Sequence, residues 1–484
     1  MICMQVEELV ITMEINLVID VKKERVILAE SNSDFIDVLF SFLTLPLGTI
    51  VRILDKQSSL GCMDRLYDSV QKLDIDYFST EACKTMLLAP RSVSDLRCEH
   101  LKLRPDDSYP RSIYICETPD CFNQRSKPCS REPHTVCSQC GHTMTHYYSS
   151  IDRIACELHV DKEKDHINIA KEKKEENGGV FVLKGGTFLV TDDLYVMQSS
   201  TKNTLAEMQK HGIKNFDSCP LEQRKVTLQR STVLDILKNS WAGSKTVLTN
   251  VFLKERKLEQ NGNGVAALEV ISRNISPLSH LRKSRPKQIT VKLQRNKTNG
   301  DIVYVEAGAD LVDYLFSFLT LTLGGVVNLS DGVSGIGSID NLYQSVRELH
   351  YLYKCITSEQ CLWDLTVPIV ASHYRCDNQL LEIGEDYWFA LRAFFPPRDA
   401  APISKMSMMT LVDPKSPVCG SKGRGRFMKG SNKFLVTDAM CVYPFRGLTA
   451  WDIMKKSNIL HLGDMEEETI TLGEAEVRNN LLPF

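Results

Sequence analysis

The stretch "DFIDVLFSFLTLPLGTIV" (Asp34–Val51) decides how this chain is read, because nearly the same words return as "DLVDYLFSFLTLTLGGVV" (Asp310–Val327). Its charge-free runs extend from Val38 to Val51 and from Tyr314 to Val327, 14 residues each. A bilayer span needs roughly 20 apolar residues, so runs of this length fit buried core helices better than membrane crossings. Phe35, Val38, Leu39, Phe42 and Leu43 fall at helical spacing, as do Leu311, Tyr314, Leu315, Phe318 and Leu319. Asp34 and Asp310 stand where N-caps are expected, and Gly48 and Gly324 where the helices are expected to end.

Working outward, "INLVIDVKKERVILAES" reads as two short strands around a charged turn, and "ITVKLQRNKTNGDIVYVEA" as a second such pair with Asn-Gly in its turn. Each copy therefore opens as a β-hairpin followed by a helix, a β-grasp-like element order. The register then holds without gaps: Glu30 and Glu306, Asp34 and Asp310, Gly61 and Gly337, Asp64 and Asp340, and Tyr67 and Tyr343 all lie 276 residues apart. "GCMDRLYDSVQKLD" returns as "GSIDNLYQSVRELH", a second helix with Leu66, Val70 and Leu73 on one face. "FLVTDDLYV" (Phe188–Val196) returns as "FLVTDAMCV" (Phe434–Val442) at a spacing of 246. Each copy closes with a strand and helix, "RKVTLQRSTVLDILKNS" and "ETITLGEAEVRNNLL".

These matches predict an α+β fold of two tandem related modules. The first covers 14–256, with a Cys-rich segment at 116–146 and a charged insertion at 161–177. A Gly, Asn, Ser and Pro-rich linker covers 257–288. The second module, 289–484, is shortened at its C-terminal end and has lost the metal ligands of the Cys-rich segment. The two modules are expected to fold independently.

The totals suit a globular protein: 484 residues, 43% hydrophobic, 25% charged, formal net charge −3. That balance gives no global attraction to nucleic acid or anionic membranes. "MICMQVEELVITMEINLVID" lacks the basic n-region of a secretory signal, and Met13 is a second candidate start. A cytoplasmic location follows as the expectation; "LRKSRPK" in the linker leaves the nucleus open. In a reducing compartment, cysteines are thiols or metal ligands before they are disulfides.

Ten of the sixteen cysteines fall before residue 160. Cys116 and Cys121 form C-x4-C; Cys137 and Cys140 form C-x2-C, followed by Gly141. Zinc takes four soft ligands in a tetrahedron, and two close pairs on tight turns supply them. A zinc-ribbon-like segment with a structural zinc on Cys116, Cys121, Cys137 and Cys140 is therefore expected. Cys129, His134, His142 and His146 stand near enough to substitute for one of the four. The second copy keeps only Cys419 in the equivalent place, with Tyr387, Trp388, Phe394 and Phe395 as an apolar replacement.

Motifs of known chemistry are missing. There is no G-x4-G-K-[ST] loop, and "GVSGIGS" (Gly332–Ser338) is neither a dinucleotide turn nor a nucleophile elbow. "GSKGRGRFMKG" (Gly420–Gly430) is basic but lacks interleaved aromatics. Asp192 and Asp193 read as the start of a turn, since the second copy has Asp438 and Ala439.

"FLTLPLGTIV", "GCMDRLYDSV", the C-x4-C with a later Cys-Gly pair, and "FLVTDDL" together resemble a land-plant family catalogued as domain of unknown function 674. The resemblance covers nearly the whole chain. It implies a plant protein with a duplicated architecture, and it carries no reaction and no catalytic residues. The reading that follows is a non-enzymatic interaction or scaffold protein that binds protein partners. The alternative is an enzyme of unrecognised class with a site between the repeats, using recurrent acids such as Glu30/Glu306, Asp37/Asp313 and Asp64/Asp340.

Overall fold

The structure is a computed structural model that describes residues 12–58, 61–107, 112–122, 126–149, 157–158, 178–213, 220–253, 288–376, 379–381, 383–385, 390–394, 406–416, 425–459 and 461–474. The charged insertion at 161–177, nearly all of the linker, and Tyr387, Trp388, Phe395, Cys419 and Lys422 lie outside the described residues.

The first part of the chain runs β1 (Met13–Asp20), β2 (Arg25–Asn32), α1 (Ser33–Thr44), α2 (Leu47–Ile53), α3 (Gly61–Lys72), α4 (Glu81–Leu88) and α5 (Asp95–Cys98). The cysteine segment follows as β3 (Ser112–Ile115), α6 (Pro119–Phe122), β4 (Ser126–Ser130), β5 (His146–Ser149) and β6 (Glu157–Leu158). Then come β7 (Thr187–Thr191), β8 (Val196–Gln198), α7 (Thr201–Lys210), β9 (Leu221–Leu228), α8 (Arg230–Trp241) and α9 (Val247–Phe252). The later part runs β10 (Ile289–Asn296), β11 (Ile302–Gly308), α10 (Ala309–Ser317), α11 (Leu323–Leu329), α12 (Gly337–Tyr351) and α13 (Glu359–Thr366). It ends with β12 (Ile369–Val370), β13 (Gly384–Glu385), β14 (Ala390–Phe394), β15 (Met406–Leu411), β16 (Lys433–Val436), β17 (Val442–Pro444), α14 (Gly447–Lys456) and β18 (Met465–Leu472).

Both copies of the opening phrase sit at the end of a hairpin, as alternation of apolar residues in β1 and β10 requires. Two five-stranded sheets have matching orders, β8-β7-β2-β1-β9 and β17-β16-β11-β10-β18. All their pairings are antiparallel. Even the register irregularities correspond, between Val18 and Ile19 and between Gln294 and Arg295.

α1 is buried almost all round, with only Asp34 reaching solvent, as a helix without a polar face must be. Among the described residues no helix is long and apolar enough to cross a membrane. Two local expectations are corrected. The N-cap of α1 is Asn32, whose side chain accepts from the Asp34 N–H at 3.1 Å; Asp34 stands in the first turn, as does Asp310 in α10. Gly48 and Gly324 do not end helices. α1 stops before Pro46, whose ring disfavours helical backbone in the residue ahead of it, and the glycines sit inside α2 and α11. They are needed for close approach: a Cβ on Gly48 would lie 3.0 Å from the Leu319 carbonyl oxygen, and one on Gly324 would lie 2.0 Å from that of Leu365.

The modules do not stand apart. One hydrophobic core contains Phe35, Phe42 and Leu66 together with Phe316, Leu342 and Phe434. Helices cross over between the halves: α12 packs on β8 and α1, while α3 packs on β17 and α10. The crossing point is the phrase itself. The Leu47 N–H donates to the Leu321 carbonyl at 2.9 Å, and the Leu323 N–H to that of Leu45 at 3.0 Å, around a Pro46–Thr322 bridge. The two halves therefore share one core where two separate ones were expected, and each sheet is reached by a helix of the other half beside its own helices.

Candidate metal centre

A third sheet, in the order β5-β3-β4-β15-β14-β6, carries the cysteines. β4 pairs in parallel with β15, so this sheet also joins the two halves of the chain. Cys116 follows β3 directly, Cys121 lies on α6, and Cys137 and Cys140 lie on the turn between β4 and β5. Gly141, at φ 76°, takes the left-handed conformation that lets this turn close, with its N–H on the Cys137 carbonyl at 3.0 Å.

The fold brings together the four cysteines that the spacing singled out. Their Sγ atoms all lie within 4.8 Å of one another, and the group could hold a metal ion. The sulfurs of Cys121 and Cys137 are 3.8 Å apart and those of Cys116 and Cys140 are 3.3 Å apart. A tetrahedron with zinc–sulfur bonds of about 2.3 Å has edges of about 3.8 Å, so the donor set fits such an ion. Thr118 Oγ1 lies 2.9 Å from the Cys116 sulfur and 3.2 Å from that of Cys140, and the Gln139 N–H points at the Cys137 sulfur at 3.5 Å. Met144 and Val412 close the site with buried apolar groups, Val412 from just beyond β15.

Electrostatics separates three of the thiols. Burial raises Cys140, but hydrogen bonds from Thr118 and from the Cys116 and His142 groups outweigh it and bring the thiol down to about 5. Burial pushes Cys137 up to about 12 and also raises Cys121. Crowded sulfurs ionise together only beside a cation, which is the chemistry a bound metal ion supplies.

The alternates fall elsewhere. The Cys129 thiol faces the Thr410 carbonyl at 3.5 Å, inside the β4–β15 pairing. His134 is exposed near Glu81, with 3.7 Å between Nδ1 and the carboxylate. His142 is exposed beside Cys140 and outside the four-sulfur group, and the side chain of His146 is outside the described residues.

The recurrent acids have structural partners. The Asp37 carboxylate accepts the N–H groups of Val180, Phe181 and Val182 at 2.7–2.9 Å. Asp313 accepts that of Met428 at 2.9 Å. Burial raises both to about 6 against those donors. Asp64 and Asp340 each accept a serine hydroxyl at 2.6 Å, from Ser58 and Ser334. Asp192 and Asp193 do start a turn, the one between β7 and β8, and Asp192 is also buried there, bonded to Arg25 at 3.0 Å and to both the N–H and hydroxyl of Thr249 at 2.8 Å.

Sequence reasoning missed the anchor of the cysteine segment. Glu132 is buried, pairs with Arg91 Nε at 2.8 Å and accepts from the Tyr374 hydroxyl at 3.0 Å. No motif marks these three, because they meet only in the fold. A groove of about 310 Å³ lies beside them, lined among others by Thr49, Ala89, Leu101, Tyr114 and Pro133. Its walls come from the first part of the chain and not from a cleft between the halves.

The model of the family described as protein of unknown function, DUF674, matches residues 10–475. The chain belongs to DUF674. The resemblance carried by the four motifs is thereby established over nearly the whole length of this DUF674 chain. No curated protein and no solved structure matches it.

Proposed function

We propose that this chain is a non-enzymatic interaction protein made of two tandem related modules, 14–256 and 289–484 joined through 257–288, with a structural zinc in the first. The carrying observation is the closed group of four cysteine sulfurs under Met144 and Val412. Four thiolates favour zinc among the common intracellular metals, and a tetrahedron filled by protein ligands leaves no open coordination place for a reacting water. Partners are proteins, and a reducing intracellular compartment suits the free thiols.

The matching strand orders and the matched contacts at the crossover support the two-module reading. The enzyme alternative lacks such support. Where a site between the modules would lie, Leu45, Leu47, Leu321 and Leu323 are buried against one another. The recurrent acids Asp37, Asp313, Asp64 and Asp340 already hold backbone and serine groups.

The test is metal analysis of the purified chain and three variants. Cys116→Ser and Cys140→Ser should each lose the zinc, and Cys129→Ser should keep it. Metal retained in both of the first two, or lost in the third, would contradict the ligand set.

A further inference from the structure

The contacts that join the two halves occur in matched pairs. At the crossover, Leu47 bonds Leu321 and Leu323 bonds Leu45, each residue separated from its counterpart by 276 positions. On one side the Val196 N–H donates to the Ser345 hydroxyl at 2.8 Å; on the other, the Val442 N–H donates to the Ser69 hydroxyl at 2.9 Å. The Thr357 N–H meets the Phe181 carbonyl at 2.9 Å, and the Ser79 N–H meets that of Phe427 at 2.8 Å. Leu183 N–H to the Cys355 carbonyl at 2.9 Å is matched by Lys429 N–H to that of Tyr77 at 3.0 Å. This is the pattern of an isologous interface, in which i meets j and j meets i, made here within one chain by exchange of helices.

The exchanged limbs are α2–α4 and α11–α13. Each leaves the helix before it through two extended residues, Leu45–Pro46 or Leu321–Thr322, and packs on the other half, with α3 reaching β17 and α12 reaching β8. Nothing in these contacts involves the linker: all the bonds named lie outside 257–288. The surface is specified by buried apolar groups and by backbone N–H groups whose acceptors lie on the other half.

We propose that the exchanged limbs form a recognition surface whose partner is the complementary module, and that the surface accepts this module from a second copy of the chain. The proposal deepens the interaction reading by naming the partner, and it rests on the two-module part of that reading and not on the metal. A protein partner of this class recognises the chain by completing a sheet–helix unit, not by docking on an exposed patch.

The experiment uses the full chain with a protease site placed at Gly262–Asn263, inside the linker. After cleavage in native buffer the two pieces should elute together with the mass of the uncut chain. Two cleaved preparations, one tagged on the N-terminal piece and one fluorescent on the C-terminal piece, are then mixed in urea, diluted together and recovered through the tag. Fluorescent pieces should be recovered, at about half of the pairs. Ser69→Arg in the tagged piece, which blocks the Val442 contact, should lower recovery at least tenfold; a variant that fails to fold without its docked partner gives the same loss. Pieces that separate in native buffer, absence of fluorescent pieces after joint refolding, or unchanged recovery with Ser69→Arg would each overturn the proposal. Zinc content, measured on the same fractions, separates this outcome from failure of the metal reading.

Discussion

Asp37 shows why a recurrent acid need not be catalytic. Its carboxylate collects three backbone N–H groups from 180–182, yet burial still raises it to about 6. A carboxyl raised in the folded state contributes stability that is fully present below its unfolded value near 4 and is lost as pH rises through 6. Asp37→Asn removes that dependence. The variant should therefore be less stable than the parent by a margin that narrows between pH 4 and 6, checked by urea unfolding across that range. A widening margin would mean that the folded carboxyl lies below its ordinary value. Glu132 makes the opposite case: removing its partner with Arg91→Met leaves a buried acid beside Tyr374 and should cost about 3–5 kcal/mol in the same assay. The grouping of the four cysteines was legible because soft donors at C-x4-C and C-x2-C spacing have few other uses, and the fold does bring their sulfurs together. Glu132, Arg91 and Tyr374 were not legible, since their meaning depends on pairing across distant parts of the chain.

At the scale of elements, periodicity correctly named those that open each copy and those that close the first. The hairpins before α1 and α10, the helix of "GCMDRLYDSVQKLD" and the strand β9 all follow from apolar spacing and turn residues. Boundaries failed where tertiary contact sets them. Glycine in "LPLG" and "LTLG" suggested a C-cap; its true constraint is the carbonyl of another helix, which no local pattern reveals. Gly324→Ala puts a Cβ 2.0 Å from the Leu365 oxygen, and Gly48→Ala puts one 3.0 Å from that of Leu319. Overpacking of this kind costs about 1–3 kcal/mol, more where backbone must move. Thermal unfolding should rank Gly324→Ala below Gly48→Ala, and both below the parent. Equal stability of all three would contradict the close approach of α11 and α13. The bonds of Ser345 and Ser69 to the opposite sheets are similar in weight: each alanine variant leaves a buried N–H unpaired, at about 1–3 kcal/mol.

Over the whole molecule, the repeated phrase carries two meanings, and only one of them could be read in advance. Its greasiness marks a core helix. Its repetition suggested two separate cores, but sequence similarity between copies does not say whether a helix covers its own sheet or its neighbour's. The turn at Pro46 and Thr322 sends α2 and α11 across, so the halves share one core, and β4 with β15 ties the cysteine segment to the second half as well. A metal ion held by the four cysteines would therefore stabilise both halves, and its loss should loosen the joint sheet on both sides. The most direct test of the account is X-ray absorption at the zinc edge on the purified full-length chain, with the metal quantified in the same sample. The expected result is about one zinc per chain surrounded by four sulfurs at about 2.3 Å. A chain without zinc, or a zinc shell containing nitrogen or water oxygen in place of a cysteine sulfur, would contradict the closed four-thiolate centre.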